Sequence, residues 1–218
     1  MRPWRANGER SLSNQSLPDW LREQIAFGRE QRRLEFKPAG SPANKSLRAS
    51  VVRAVLALGN TSSGGHVVIG VNETAGAFEP RGLTPEELAS WRSDLTHDAI
   101  RPYVDPQPEV LVEEIPLDGL AFVRLSVAEF REVPFLCRKT ETVGGRVVLR
   151  EGALYVRAIM KPESVEVSTH AQMRDLIDLA TEKLLAKYLR TAHRAGGVVS
   201  ATGPDDEERF RKQRGDLE

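Results

Sequence analysis

The segment His66-Val67-Val68-Ile69-Gly70-Val71 is an almost unbroken apolar run, and Asn60-Thr61-Ser62-Ser63-Gly64-Gly65 just before it is turn chemistry. A short apolar run bounded by turn residues reads as a strand buried on both faces. Such a strand is central: it needs neighbours along its edges and other elements over its sides. The flanking sequence supplies them. Asn44 to Leu58 carries Leu47, Val51, Val55 and Leu58 at helical spacing, with Asn44 as the cap. Arg32 to Phe36 alternates, with Leu34 and Phe36 on one side and Arg33, Glu35 and Lys37 on the other, as a half-buried strand does. The expected fold class is α/β (α+β): a compact mixed sheet with flanking helices, plus a long C-terminal helix.

Leu17-Pro18-Asp19-Trp20-Leu21 opens a short helix that should end near Gly28. Asn72 to Pro80 reads as a turn-rich loop. Thr84-Pro85-Glu86-Glu87 is a capping box, starting a helix expected to reach about Ile100. Glu109 to Ile115 and Ala121 to Val127 flank Asp118-Gly119 as a hairpin. Phe135 to Lys139, Arg146 to Leu149 and Ala153 to Ile159 read as further strands. Ala171 to about Arg194 is a long helix with Met173, Leu176, Ile177, Leu179, Ala180, Leu184 and Leu185 on one broad side, stopped by Gly196 and Gly197. The expected organisation is an N-terminal arm over 1–16, a domain over 17–165, a helix over 166–197 packing on that domain or on a partner, and a disordered tail over 198–218.

Charge bounds the partners. Lys plus Arg and Asp plus Glu are each 31 in 218 residues, which excludes a globally basic coat protein. A local basic face stays open, because binding follows charge distribution as well as the total. The single cysteine, Cys137, excludes a disulfide framework within the chain and a cysteine-based zinc cluster. It fits a reducing compartment. No stretch approaches the roughly 18 apolar residues of a membrane span, and the N-terminus lacks the apolar core of a secretory signal. The expectation is a cytoplasmic protein.

Glu30, Glu35 and Glu73 stand out as chemistry. Residues five apart on a strand face opposite ways. Glu30 can therefore join Glu35 only from a turn before the strand or across a bulge, and Gly28 suits the turn. Glu73 follows the buried strand, where α/β folds commonly place functional groups. Three converging carboxylates suit Mg²⁺ or Mn²⁺, and such an ion can activate water against a phosphate. Without convergence they are surface charges, the default for glutamate. Lys37 shares a face with Glu35 and either contacts a phosphate as a point charge or forms an ordinary exposed pair.

Lys45, Arg48 and Arg53 fall on the side of the Asn44–Leu58 helix away from its apolar stripe. Arg29, Arg32 and Arg33 precede or flank the Glu35 strand, and Arg138, Lys139, Arg157 and Lys161 decorate later strands. If they converge they form a phosphate-binding footprint; a solvated helix face explains the first three equally well. His66, His97, His170 and His193 have no metal-ligand spacing. Ser62 to Gly65 lacks the glycine-lysine-threonine ending of a nucleoside triphosphate loop, and no nucleophile elbow is present.

Glu30-x-x-x-x-Glu35-Phe36-Lys37, a helix, and then the run from Ala57-Leu58-Gly59-Asn60-Thr61 through Gly64-Gly65 to Gly70-Val71-Asn72-Glu73 together resemble the Schlafen AlbA_2 family. The resemblance continues more loosely through Gly82-Leu83-Thr84, Ile100-Arg101-Pro102, Pro134-Phe135 and Tyr155-Val156-Arg157, spanning about Arg29 to Lys161. It implies a compact α/β domain that binds DNA or RNA. Members that cleave transfer and ribosomal RNA carry a metal-dependent endonuclease site, which maps onto Glu30, Glu35 and Glu73. This chain departs from that pattern with Glu at the third position and Asn72 before it. Glu-Phe-Lys also occurs in bacterial members regarded only as DNA-binding. Cleaving members pair two such units, so a nuclease here implies a homodimer. Three readings follow: a divalent-metal-dependent endoribonuclease of the transfer-RNA type, with Lys37 orienting the phosphate; a non-catalytic DNA- or RNA-binding regulator or complex subunit; and an interaction module using the Ala171–Arg194 helix.

Overall fold

The computed structural model describes residues 16–74, 76–158 and 161–194. Its main sheet has the order β1 (Leu34–Lys37), β2 (Gly65–Ile69), β7 (Leu120–Val127), β6 (Val110–Leu117). β1 and β2 run parallel, with Glu35 opposite Val67, and the other pairings are antiparallel. A parallel pair needs a crossover, which α2 (Lys45–Gly59) provides. The hairpin β6–β7 turns through Asp118 and Gly119, both at positive φ, the conformation that a two-residue turn matching strand twist requires.

The expectation of a central strand holds: Val67, Val68 and Ile69 have no exposed surface. On one face of the sheet, α1 (Leu17–Ala26) inserts Leu21 among Leu34, Phe36, Val68, Ile115 and Phe122. On the other side α2 is buried at every residue from Ala54 to Gly59. Each fully buried Val or Leu contributes about 1.5–3 kcal/mol, so this helix is a large part of the core. Asn44 caps it by accepting from the Ser46 and Leu47 amides. After it the chain turns at Gly64, with φ +62°, where a Cβ would lie 2.1 Å from the Val127 carbonyl oxygen. Only glycine fits there.

Two expectations are corrected. Asn72 to Pro80 is not a loop: β3 (Val71–Thr74) and β4 (Ala77–Pro80) pair antiparallel. Phe78 stabilises the hairpin by packing its ring 4.8 Å from that of Phe36. The helix begun by the Thr84–Glu87 capping box also stops early, as α3 (Pro85–Ala89), and restarts as α4 (Ser93–Ile100). The interruption is Trp91, 2% exposed, whose indole N–H donates to the Gly40 carbonyl at 2.7 Å. An unbroken helix would not leave that ring and its donor so placed.

A one-turn 3₁₀ helix, Arg101–Tyr103, leads into short paired strands. These are β5 (Val104–Asp105) with β8 (Leu136–Cys137), β9 (Glu141–Val143) with β10 (Arg146–Leu149), and β11 (Tyr155–Arg157) with β12 (Ser164–Glu166). Of these, β5, β9 and β12 have no counterpart in the sequence reading. The last helix, α5 (His170–Arg194), is found as expected. The chain forms one compact unit to Leu176 and a second from Ile177. Within α5, Leu176 is buried, while Ile177, Leu184, Leu185 and Tyr188 are exposed. None of the described helices is long and apolar enough to cross a membrane. The expected arm (apart from Ser16), the Gly196-Gly197 stop and the tail lie outside the described residues.

Candidate functional site

Glu30 lies before β1, outside the regular strand, as its odd spacing from Glu35 requires. Its Oε1 accepts from the Phe36 amide at 2.7 Å, which folds the turn back onto β1. Glu35 points to the opposite face from Leu34 and Phe36 and is nevertheless buried. The reason is Arg157 on β11, whose side chain has no exposed surface. Its guanidinium donates to Glu35 Oε2, to the Leu34 carbonyl at 3.0 Å, to the Arg32 carbonyl at 3.2 Å and to the Gln31 carbonyl at 3.3 Å. It also reaches Glu30 Oε2 at 3.4 Å. The Ser164 hydroxyl on β12 donates to the same Glu35 oxygen, and the Lys37 ammonium takes the other. Burial and the neighbouring Glu35 push Glu30 up to about 7, outweighing the opposing Phe36 amide and Arg157.

These residues do not fit a divalent cation. Both Glu35 oxygens and both Glu30 oxygens already have donors, and two carboxylates face two built-in cations. Glu73 is exposed on β3, opposite Phe78 in the hairpin. Among the described residues no group of three or more His, Cys, Asp or Glu side chains is placed to hold a metal ion. The structure thus brings Glu30, Glu35 and Lys37 together around Arg157, with Glu73 exposed on β3.

The basic residues separate as well. Arg157, expected among the phosphate contacts, is turned wholly inward, because the buried Glu35, the half-buried Glu30 and three backbone carbonyls hold it there. Arg33 donates to the Ser63 and Gly64 carbonyls, and Arg53 lies over the Tyr155 ring. Arg29 lies over the Phe27 ring, and Lys161 is exposed. Three others meet. Lys45 Nζ is 2.8 Å from Glu141 Oε1, and Arg48 Nη2 is 3.7 Å from Glu141 Oε2. The Tyr103 hydroxyl donates to that same oxygen at 2.5 Å. Lys139 Nζ sits 5.4 Å from the centre of the Tyr103 ring, and the neighbouring Arg138 amide donates to the Tyr103 carbonyl. Lys45 hydrogen-bonded to it, together with Tyr103, holds Glu141 below the usual carboxylate range. Two cations, Lys45 and Arg48, face the one Glu141 carboxylate, and a third, Lys139, lies over the Tyr103 ring beside it, in a chain that is neutral overall.

Sequence reasoning missed Ser164, Tyr103 and Glu141. One signal was present for Arg157: a charge embedded in the apolar run Ala153-Leu154-Tyr155-Val156-Arg157-Ala158-Ile159 points to a buried ion with a partner. Tyr103 and Glu141 are 38 residues apart, and no local pattern links them.

Residues 30–158 match the family model described as Schlafen, AlbA_2. No curated protein matches the chain. Two solved structures are similar. The DIP2311 protein from Corynebacterium diphtheriae is 17% identical with a TM-score of 0.46, over 71% of this chain and 27% of that one. The N-terminal domain of an ATP-dependent DNA helicase RecG-related protein from Nitrosomonas europaea is 22% identical with a TM-score of 0.47, over 72% of this chain and 97% of that domain. The match thus spans about a quarter of the Corynebacterium protein's length.

Proposed function

Because this chain belongs to the Schlafen AlbA_2 family, we propose that it binds nucleic acid through the phosphate backbone, as a non-catalytic DNA- or RNA-binding protein. The supporting observation is the meeting of Lys45, Arg48 and Lys139 around Tyr103. Cations that neutralise phosphates release counterions, and that release drives association. Contacts of this kind position a strand without reading its sequence. The test is binding of labelled oligouridylate and oligothymidylate across a salt series. Log affinity is expected to fall linearly with log salt, and Lys45→Ala and Lys139→Ala each to flatten the slope by about 0.7. Salt-independent binding, or slopes unmoved by both substitutions, refutes the proposal.

The finer reading, a divalent-metal-dependent endoribonuclease with Glu30, Glu35 and Glu73 as ligands and Lys37 at the phosphate, needs Arg157 and Lys37 to release both carboxylates. Breaking a buried ion pair costs several kcal/mol, so no cleavage step is assigned to this chain. A transfer-RNA pool incubated with Mn²⁺ is expected to survive both wild type and Glu35→Gln. Cleavage by the wild type that Glu35→Gln abolishes would reinstate the nuclease.

A further inference from the structure

We infer that Glu141 is a built-in anion of the phosphate site, a carboxylate that competes with a backbone phosphate for Lys45 and Arg48 and so sets the affinity. The inference rests on the nucleic-acid reading and adds a control element to the same site. The carboxylate has the partners that a phosphate oxygen pair would want. One oxygen takes the Lys45 ammonium at 2.8 Å. The other takes the Tyr103 hydroxyl and faces Arg48 Nη2 at 3.7 Å. These donors come from two separate places in the chain: the N-terminal end of α2, which carries Lys45 and Arg48, and the 3₁₀ turn with Tyr103. Carboxylate and phosphate oxygens are both anionic acceptors of charge-assisted hydrogen bonds, so a group that satisfies one satisfies the other.

The layering matters. The Glu141 side chain is 8% exposed, whereas that of Lys45 is 55% exposed. The anion lies behind and the ammonium in front. An ammonium has three donors; Glu141 engages one, which leaves others for an incoming oxygen. Arg48 is steadied from a second side, because its Nη1 donates to the Pro42 carbonyl at 2.9 Å. A strand can therefore dock on Lys45, Arg48 and Lys139 with Glu141 in place, at the cost of bringing two like charges close together. Removing the charge while keeping an acceptor of the same shape relieves that repulsion.

The experiment measures binding of labelled oligouridylate across a salt series for wild type, Glu141→Gln and Tyr103→Phe. Glu141→Gln is expected to bind about threefold tighter or more at low salt, threefold being the size of a like-charge repulsion at roughly 7 Å in water, which the lower dielectric of a surface only strengthens. Its salt slope steepens by about 0.7, since Lys45 then neutralises phosphate alone. In a Lys45→Ala background the gain shrinks, as expected for residues that share a partner. Tyr103→Phe keeps the carboxylate but removes its neutral donor, so Glu141 engages Lys45 and Arg48 alone and competes harder for them, and binding is about twofold weaker. Glu141→Gln binding equally or more weakly than wild type, with wild-type circular dichroism, overturns the inference and leaves nucleic-acid binding standing. If Glu141→Gln fails to fold, Tyr103→Phe decides: equal or tighter binding overturns the inference. A wild type that binds no probe at any salt overturns the nucleic-acid reading itself.

Discussion

Arg157→Ala tests the account of the acidic motif most directly. The lost side chain has no exposed surface and holds Glu35, Glu30 and the carbonyls of Gln31, Arg32 and Leu34. Glu35 would keep Lys37 and Ser164, and Glu30 would keep the Phe36 amide. Three backbone acceptors would lose a donor, each worth about 1–3 kcal/mol if left buried and unpaired. These losses are not additive. The whole is best taken from broken buried ion pairs, about 3–5 kcal/mol, a large share of the 5–15 kcal/mol typical of a domain. Urea denaturation followed by fluorescence, with Trp91 in the core as a reporter, should show the midpoint falling at unchanged slope. Arg157→Lys, which keeps the charge without the planar fork, should fall between wild type and alanine. A loss below about 1 kcal/mol for Arg157→Ala would refute the claim that this arginine neutralises the acidic pair.

Glu30 carries a pH signature: its folded value of about 7 lies above its ordinary 4.5. The folded chain therefore binds the extra proton, and this stability is full below pH 4.5 and lost as pH rises through 7. His66, pushed down to about 4 by burial and Arg124, slopes the opposite way and loses stability as pH falls from 6.5. Comparing wild type with Glu30→Gln cancels the histidine: wild type should lose about 1–3 kcal/mol relative to the variant between roughly pH 5 and pH 8, and parallel curves would refute it. Gly64→Ala should lower the melting temperature sharply, because its Cβ would meet the Val127 carbonyl at a positive φ; an unchanged melt contradicts the tight turn. The exposed Ile177, Leu184, Leu185 and Tyr188 on α5 are expected to make the full chain self-associate. Leu184→Lys should shift its light-scattering mass to a monomer, and a monomeric wild type rejects the association.

The sequence by itself determined the elements whose cause is local. The apolar run after Gly65 had to be a central strand, Asn44 had to cap the helix before it, and Asp118-Gly119 had to turn a hairpin. The odd interval between Glu30 and Glu35 required Glu30 to sit outside the strand, and it does. Tertiary structure decided the rest. Phe78 makes a hairpin of a turn-rich stretch only because Phe36 is there to pack on it. Trp91 breaks a well-capped helix only because the core and the Gly40 carbonyl receive it. The largest change fell on the acidic motif. Its partner, Arg157, lies 122 residues beyond Glu35. Whether a carboxylate is a ligand, a surface charge or half of a buried ion pair depends on which cation the fold brings to it, and side-chain spacing along one strand carries no record of that.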